Sequence, residues 1–379
     1  MNVTELLTVS IIVERNIQYK ITKNNYENKY LVDDENIQRI DYSMRKSPYK
    51  DFNEEFLERK GVTNKRNFRS KIEMINVKNL LDEWSIINSG ILKESNDINI
   101  TLSTNYIKKY SIFPIYKDFN LSINTENFII GSMTISESTI NFSVSSINTL
   151  YHELNRVLKK LINNKENYIG NTVGIKGKYN LFFDPFVSSI FFHELVGHGL
   201  EEGFLKKGDK VGPLNLSVYQ ACLDDLSVPR TPKYQKQLLI KNGFVIVDKI
   251  EIQGHRKSIR HSPSIRLNNL IIDGGFNSKP NFVEKEISYI KCCNVGLAEF
   301  YEGYIILEIK NGLLISDSKD YKRIERLILK IHVNEVYKHF KHLYDDYETV
   351  RGICTKNNDT LPTVNHSPSI LFLDTYVES

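Results

Sequence analysis

Hydrophobic residues follow two different periods in the first half of the chain. Between about residues 96 and 146, Ile, Val, Phe and Thr alternate with polar residues in four short runs, the period of antiparallel β-strands. On either side the spacing changes to three and four residues, which predicts amphipathic helices over 65–88 and 146–164. Residues 1–60 are polar, and the charged stretch 41–60 is predicted to include a loop.

A strand that leads directly into a helix is predicted near the centre of the chain. KYNLFFDP, residues 178–185, reads as a strand followed by a helix start. Asp184 is a favourable N-cap residue, and Pro185 occupies the first helical position, where its missing N–H costs nothing. The helix continues into FFHELVGHGLEEGF, residues 191–204, so HELVGH is expected in its later turns.

The second half of the chain reads mostly as β-structure. After the turn-rich loop KKGDKVGP, strands are predicted within FVIVDKIEI, IRLNNLIIDG, YIILEIKNG and SILFLDTYV. A length of 379 residues suits two domains. We predict an α+β fold with an N-terminal α/β lobe of antiparallel strands over 1–165. A C-terminal, mostly antiparallel β domain over 166–379 is expected to wrap around the helix that carries HELVGH.

The spacing of the two histidines in HELVGH is unusual for a metal site on a helix. His193 and His198 are five residues apart, which places them about 140° apart around a regular α-helix. Two local changes would let them converge: a π-bulge, or an end of the helix just before His198. Gly197 and Gly199 tolerate either change.

The residues of this motif suit a metal-dependent hydrolase. Such an enzyme needs protein ligands, an open coordination position and a carboxylate that takes a proton from water. His193 and His198 are candidate ligands, and Glu194 is the candidate base. The alternative is a pair of structural histidines on an apolar helix. The N-cap, the His-Glu pair and the flanking glycines together favour metal binding.

Composition narrows the function classes. Hydrophobic residues make up 41% of the chain and charged residues 25%, enough for a substantial core. The 50 Lys and Arg residues nearly balance the 46 Asp and Glu residues, which disfavours a nucleic-acid partner. No apolar run approaches the roughly 18 residues of a membrane span, and the N-terminus does not resemble a secretory signal. Four cysteines in a chain of this length favour a reducing, cytoplasmic location.

HELVGHGLEEGF resembles the signature helix of the TldD/PmbA metallopeptidase family, whose zinc proteins carry HExxxH. The resemblance covers about residues 90–379. It extends to DDLSVPRTPKYQKQLLIKNGFV at 224–245, GHRKSIRHSPSIRLNNLIIDGG at 254–275 and RGICTKNNDTLPTVNHSPSILFLD at 351–374. The chain resembles a shortened and divergent member, because Thr355 replaces a glycine after Cys354 and His366-Ser367-Pro368 replaces Gly-Gln-Pro.

The resemblance implies a zinc centre and a set of partners. Its third zinc ligand corresponds to Cys354, which gives one Zn²⁺ per chain held by His193, His198 and Cys354. It also implies a homodimer, or a heterodimer with a related subunit. The implied substrate is an extended or unfolded peptide: a peptide natural product that the enzyme matures, or small unfolded proteins that it degrades. Neither nucleic acid nor membrane is an expected partner.

Several other polar residues have no assigned role from the sequence. Glu201, three residues after His198, is expected to hydrogen bond to a ligand rather than to ligate. His255, Arg256 and Arg266 are candidates for a substrate carboxylate, although a solvated basic face explains them equally well. Cys222, Cys292 and Cys293 match no motif and are expected to pack. Beyond the three basic candidates, the substrate-binding residues are left unassigned.

The leading functional prediction is a zinc metallopeptidase in which Glu194 is the catalytic base. The alternative is a non-catalytic partner subunit of a TldD/PmbA-type protease. The presence of His193, Glu194, His198 and Cys354 in this chain favours the enzyme. A third possibility, a DNA-associated regulator, is disfavoured by the nearly balanced charge.

Overall fold

The computed structural model describes most of the chain, and every structural statement below concerns the described residues. These are 7–21, 29–44, 80–81, 83–84, 87–88, 98–115, 118–135, 138–165, 172–220, 236–248, 254–255, 264–265, 267, 269–275, 288–316, 321–356 and 359–379. None of the helices within these ranges has both the length and the apolar composition that crossing a membrane requires.

The first described sheet is an antiparallel set of five strands in the order β2-β1-β3-β4-β5. The strands are β1 Leu7–Ile21, β2 Lys29–Met44, β3 Ile98–Ile115, β4 Asp118–Ile135 and β5 Ser138–Val144. Alternation correctly predicts β3 to β5, but the runs 119–125 and 128–135 belong to a single strand, β4. The polar composition of residues 1–60 as a whole hid the β1–β2 hairpin, although apolar and polar residues alternate over residues 7–11 and 17–21 of β1.

Helix α1, Ile147–Lys165, confirms the helix predicted over 146–164. Its apolar residues Leu150, Leu154 and Val157 are fully buried and pack in one cluster with the inner face of the first sheet. The helix predicted over 65–88 lies largely outside the described residues, but 80, 81, 83 and 84 are helical. Ile87, expected on its apolar face, is instead 69% exposed.

The remaining elements follow α1 along the chain. The strands are β6 Lys176–Phe183, β7 Ser217–Gln220, β8 Gln237–Lys241, β9 Phe244–Val245, β10 Gly254–His255, β11 Ser264–Ile265, β12 Asn269–Asp273, β13 Tyr289–Cys292, β14 Val295–Tyr301, β15 Tyr304–Ile315, β16 Tyr321–His332, β17 Phe340–Leu343, β18 Glu348–Lys356, β19 Asp359–Ser367 and β20 Ile370–Glu378. The helical segments are α2 Pro185–Phe192, a π-helical segment His193–His198, α3 Gly199–Glu202, a 3₁₀ turn Val333–Glu335 and α4 Val336–His339.

Two large sheets organise this second part of the described chain. One has the order β18-β19-β12-β7-β8-β9, and β18 is its edge strand. In the other, the pairing β13-β6-β20-β16-β15 closes on itself, because β13 also pairs with β15. Strand β14 extends this ring from β15. Most pairs are antiparallel, with β12–β19 and β13–β6 as parallel exceptions.

Helix α2 is held against the closed sheet by aromatic side chains. The ring of Phe191 lies 5.7 Å from that of Phe183 on β6 and 5.1 Å from that of Phe372 on β20, measured between centroids. The ring of Phe192 lies 5.8 Å from that of Phe340 on β17. Because aromatic rings bury large apolar areas, these contacts fix the helix that leads into HELVGH.

The predicted fold class is confirmed in its general form: the protein is α+β, with mostly strands in mainly antiparallel sheets. Buried residues form two main clusters, one drawn from Leu81 to Leu161 and one from Ile175 to Val377. The predicted boundary between 165 and 166 lies between these clusters and stays a prediction. The division into lobes and the wrapping of the C-terminal domain around the helix also stay predictions.

The predicted start of α2 is confirmed. The backbone amide of Val187 donates to Asp184 Oδ1 at 3.0 Å, and Pro185 is the first helical residue. Burial raises the pKa of the Asp184 carboxyl to about 6, although the hydrogen bond from Val187 opposes this effect. The cap is therefore a carboxyl whose ionisation is disfavoured by folding.

This cap predicts a pH-dependent stability. A raised pKa in the folded state means that the stabilising contribution is complete below the unfolded value of about 4 and is lost as the pH rises towards 6. Asp184→Asn keeps the cap without the charge. We expect its unfolding free energy, relative to wild type, to rise by about 1–3 kcal/mol between pH 4 and pH 7. Urea unfolding across this range measures the difference, and a pH-independent difference would contradict the prediction.

Candidate metal centre

A π-helical segment brings the two histidines of HELVGH together. Residues His193–His198 form this segment directly after α2, and the amide of Gly199 donates to the carbonyl of Glu194, five residues earlier. The ring centroids of His193 and His198 lie 4.9 Å apart. Of the two distortions that the sequence allows, the π-helix is therefore the one adopted.

The glycines beside His198 act through close packing rather than through unusual backbone angles. Gly199 has a φ of −58° and a ψ of −42°, which any residue adopts in a helix. A Cβ at position 197 would lie 3.1 Å from the carbonyl oxygen of Leu267, and one at 199 would lie 3.0 Å from the Leu205 side chain. The glycines are compatible with the π-helix, as expected, and they also let neighbouring segments approach it closely.

Cys354 reaches the histidine pair from the edge strand β18. Its Sγ atom lies 3.4 Å from His198 Nε2. One potential ligand atom from each of His193, His198 and Cys354 lies within 4.8 Å of the other two. The three residues are 6%, 6% and 8% exposed. The structure thus assembles three residues that are far apart in sequence into one buried cluster.

The electrostatics of the cluster favour a thiolate. Burial by itself would raise the pKa of Cys354, but the adjacent His193 and His198 rings outweigh it and lower this pKa to about 5. Burial would likewise lower the pKa of His198, but its hydrogen bonds with Cys354 and Glu201 raise it to about 10. The thiolate is the form of cysteine that binds metal ions.

Two carboxylates accompany the cluster in different positions. Glu194 Oε2 lies 3.8 Å from His198 Nε2, and burial raises the pKa of this carboxyl against the opposing effect of the two histidines. Glu201 Oε2 lies 2.9 Å from His198 Nδ1, and its Oε1 accepts the amide of Leu267 at 2.6 Å. Glu201 therefore holds the ring of His198 from its far side, as expected of a residue that supports a ligand.

The donor set fits a tetrahedral metal ion. Two imidazoles and one thiolate around zinc place neighbouring ligand atoms about 3.5 Å apart, close to the 3.4 Å between Cys354 Sγ and His198 Nε2. Both ring nitrogens of His193 are buried without a hydrogen-bond partner among the described residues. A buried imidazole left in this way is costly unless something binds it.

The cluster lies in the wall of a cavity of about 730 Å³. One face of α2 and the π-helix lines it, with Phe186, Ser189, Ile190, His193, Glu194 and His198. The other lining residues come from β3, β4, α3, β14, β18 and β19. Sequence reasoning missed Ser189, although its position four residues before His193 was sufficient to place it on the same helix face. The contributions of β14 and β19 had no local signal.

The remaining sequence candidates lie away from the ligand cluster or outside the described residues. Cys222, Arg256 and Arg266 fall outside the described residues, and only the backbone of His255, in β10, is described. Burial raises the pKa of Cys293 to about 12, with a further contribution from Asp184. Cys292 is fully buried, and burial raises its pKa well above the usual value. Both thiols therefore stay protonated, as packing residues do.

Sequence comparison finds metalloproteases among the relatives, although no family model matches the chain. A metalloprotease of Methanothermobacter thermautotrophicus is 20% identical over 221 residues, which cover 51% of this chain and 49% of that protein. A metalloprotease of Methanocaldococcus jannaschii is 23% identical over 215 residues, or 49% of this chain and 48% of the relative. The chain thus spans about half the length of the curated relatives that it matches.

Solved structures match over nearly the whole chain. TldE from Thermococcus kodakarensis is 12% identical with a TM-score of 0.57, and the match covers 99% of this chain and 97% of that one. A putative modulator of DNA gyrase from Thermotoga maritima is 12% identical with a TM-score of 0.61 over 98% and 96% of the two chains. A third protein, a putative modulator of DNA gyrase from Bacteroides thetaiotaomicron, is 12% identical with a TM-score of 0.56, and the match covers 99% of this chain and 94% of that one. This chain has the fold of the TldD/PmbA family, as its sequence motifs indicate.

Proposed function

We propose that the protein is a zinc metallopeptidase that hydrolyses extended peptides. The observation that carries this proposal is the buried group His193, His198 and Cys354 with Glu194 beside it, in the wall of a large cavity. One zinc ion per chain fits two imidazoles and a thiolate better than a harder metal ion does. The names of the two metalloprotease relatives support the same chemistry.

Each residue of the group has a distinct task in this proposal. His193, His198 and Cys354 are the ligands, and the bound zinc would lower the pKa of water and polarise the scissile carbonyl. Glu194 takes a proton from the attacking water on its carboxylate and later gives it to the leaving amine. The raised pKa of Glu194 suits both steps, because a carboxyl with a pKa nearer neutrality exchanges protons more readily at that pH.

The substrate would lie along strand β14. This strand lines the cavity from Val295 to Phe300, and no described strand other than β15 pairs with it. An extended peptide can add to the edge of a sheet by backbone hydrogen bonds that are insensitive to sequence. Leu297, 50% exposed on β14, offers an apolar contact. This arrangement favours unfolded peptides, either a natural-product precursor or small unfolded proteins.

The alternative remains a non-catalytic subunit of a heterodimeric protease. We propose a dimer in either case, with itself or with a related chain, in the cytoplasm. Light scattering of the purified protein tests whether it forms a homodimer. Presence of the complete ligand group and of Glu194 favours the enzyme, because a subunit without catalysis has no need of a buried carboxylate beside the metal position.

The proposed function is tested with an unfolded reporter protein, such as carboxymethylated, fluorescently labelled casein. We expect cleavage that a chelator abolishes and that about one equivalent of zinc per chain restores. Magnesium is the control, because a thiolate-containing site binds it poorly. Zinc binding without cleavage of any unfolded protein or peptide mixture would favour the non-catalytic subunit, and absence of zinc binding would contradict both the centre and the enzyme.

Glu201→Gln is predicted to weaken zinc binding without removing a ligand. The glutamine keeps the shape of the side chain but loses the charge that faces His198 Nδ1 at 2.9 Å. Loss of such a supporting carboxylate typically costs about 10- to 100-fold in metal affinity. Competition with a chromogenic chelator measures this change. Glu202→Gln, at the adjacent and exposed position, is the control and should leave the zinc affinity as in wild type.

A further inference from the structure

Part of the cavity wall consists of neutral polar side chains that the proposed catalytic step does not use. Ser189 lies one helical turn before His193, and Thr363 and Asn365 lie two residues apart on β19. This spacing places Thr363 and Asn365 on the same face of their strand. The three residues are 1%, 7% and 3% exposed, so they form a buried wall beside the ligand cluster.

The Ser189 hydroxyl is a buried polar group, and its Oγ atom has no hydrogen-bond partner in the described part of the chain. The adjacent Ser188 is equally buried, but its Oγ lies 2.8 Å from Ser367 Oγ. An unpaired buried hydroxyl destabilises a site unless a ligand supplies the missing hydrogen bond. Because Ser189 lines the cavity, a bound substrate can supply that partner.

Asn365 is fixed in place next to Ser189. Its Oδ1 atom accepts the amide of Leu270 at 3.0 Å, and its Nδ2 atom donates to the carbonyl of Ser189 at 3.5 Å. These contacts tie β19 to both β12 and α2. The wall is therefore preorganised, which reduces the entropy that a ligand must lose on binding.

Gly352 keeps the space beside Thr363 open. The two residues pair across β18 and β19, and both line the cavity. A Cβ atom at position 352 would lie 2.9 Å from Thr363 Oγ1, closer than ordinary packing allows. A glycine two residues before Cys354 thus leaves room next to a hydroxyl and close to the proposed metal ligands.

We propose that Ser189, Thr363 and Asn365 form a subsite for a small hydroxyl-bearing side chain, threonine or serine, next to the scissile bond of the peptide. This inference rests on the proposed function and adds a specificity to it. An apolar side chain of the same shape, such as valine, would leave the Ser189 hydroxyl unpaired. Sites that lose a buried hydrogen bond in this way discriminate against the apolar analogue.

The test uses the N-acetyl hydroxamates of threonine and valine. The hydroxamate group binds zinc and holds the side chain next to it, and the two side chains have nearly the same shape. Calorimetric titration into the zinc-loaded protein is expected to give a dissociation constant about 10-fold lower for the threonine compound. Ser189→Ala should reduce this ratio to about one while the zinc content stays unchanged.

Ser188→Ala is the matched control, because it removes the neighbouring buried hydroxyl. It should keep the threonine preference and lower the melting temperature instead, since it loses the hydrogen bond to Ser367. Ser189→Ala should not lower the melting temperature, because its hydroxyl has no partner to lose. This opposite pattern separates recognition of the ligand from a general structural effect.

The outcomes separate this proposal from the proposed function. Equal affinity of the two compounds, or a ratio that persists in Ser189→Ala, overturns the subsite and leaves the zinc centre intact. Failure of both compounds to bind, together with a protein that takes up no zinc when zinc is added, contradicts the centre. In that case, the affinities of the metal-free protein for the amides of acetyl-Ala-Thr-Ala-Ala and acetyl-Ala-Val-Ala-Ala are compared, which tests the subsite without a metal. A threonine preference that Ser189→Ala removes supports it, whereas equal affinity or no binding overturns it.

Discussion

Glu194→Ala is expected to lower kcat for peptide hydrolysis about 10³-fold while the zinc content stays at about one per chain. Glu194 lies beside the ligand cluster, with Oε2 3.8 Å from His198 Nε2, and the cluster does not need it as a ligand. Its loss removes the group that takes the proton from water and gives it to the leaving amine. Steady-state kinetics on a quenched fluorescent peptide, with zinc measured on the same samples, test the prediction.

Two further variants make the interpretation specific. Glu194→Gln preserves the volume of the side chain and should be as inactive as the alanine variant, because an amide does not accept the proton. Glu202→Ala removes an exposed carboxylate from the same cavity and should retain most of the activity. Undiminished turnover in Glu194→Ala would refute the assignment of this residue as the base and would require another proton acceptor.

The fold could be predicted from the sequence for those elements that bury one face and expose the other. Helix α1 and strands β3 to β5 show a clear period because each packs one side on a core. The hairpin of β1 and β2 was missed although β1 alternates over residues 7–11 and 17–21, because the polar composition of residues 1–60 and the polar run at 33–36 in β2 obscured the pattern. Pairings such as β13 with both β6 and β15 join strands distant in sequence, and no local pattern encodes them.

The candidate site could likewise be predicted only in part from the sequence. His193, Glu194 and His198 lie within six residues, so the motif alone brought them together, and the five-residue spacing limited the backbone to two forms. The sequence did not distinguish between these forms, because Gly197 and Gly199 are compatible with both and their contacts with Leu267 and Leu205 involve residues outside the motif. Cys354 came from the family resemblance alone, since nothing local in β18 distinguishes a ligand from a packed thiol.

Cys354→Ala is expected to remove zinc from the purified protein. The thiol pKa of about 5 means that the native site presents a thiolate near neutral pH, the strongest of the three donors for zinc. Two imidazoles alone are a weak site, so the dissociation constant should rise by more than the roughly 100-fold that loss of a supporting residue costs. The zinc content, measured by elemental analysis after purification without chelators, should fall from about one per chain to nearly none. The rate of peptide hydrolysis should fall with it.

Cys293→Ala is the control for this loss, because it removes a thiol whose pKa of about 12 keeps it protonated and which lies outside the ligand cluster. It should bind zinc as wild type does. If Cys354→Ala instead kept its zinc, the third ligand would have to come from elsewhere. Glu194 is the nearest alternative, since its Oε2 lies 3.8 Å from His198 Nε2, the ring nitrogen that faces Cys354. In that case the thiolate would be a neighbour of the metal, and the Glu194→Gln variant would lose zinc as well as activity.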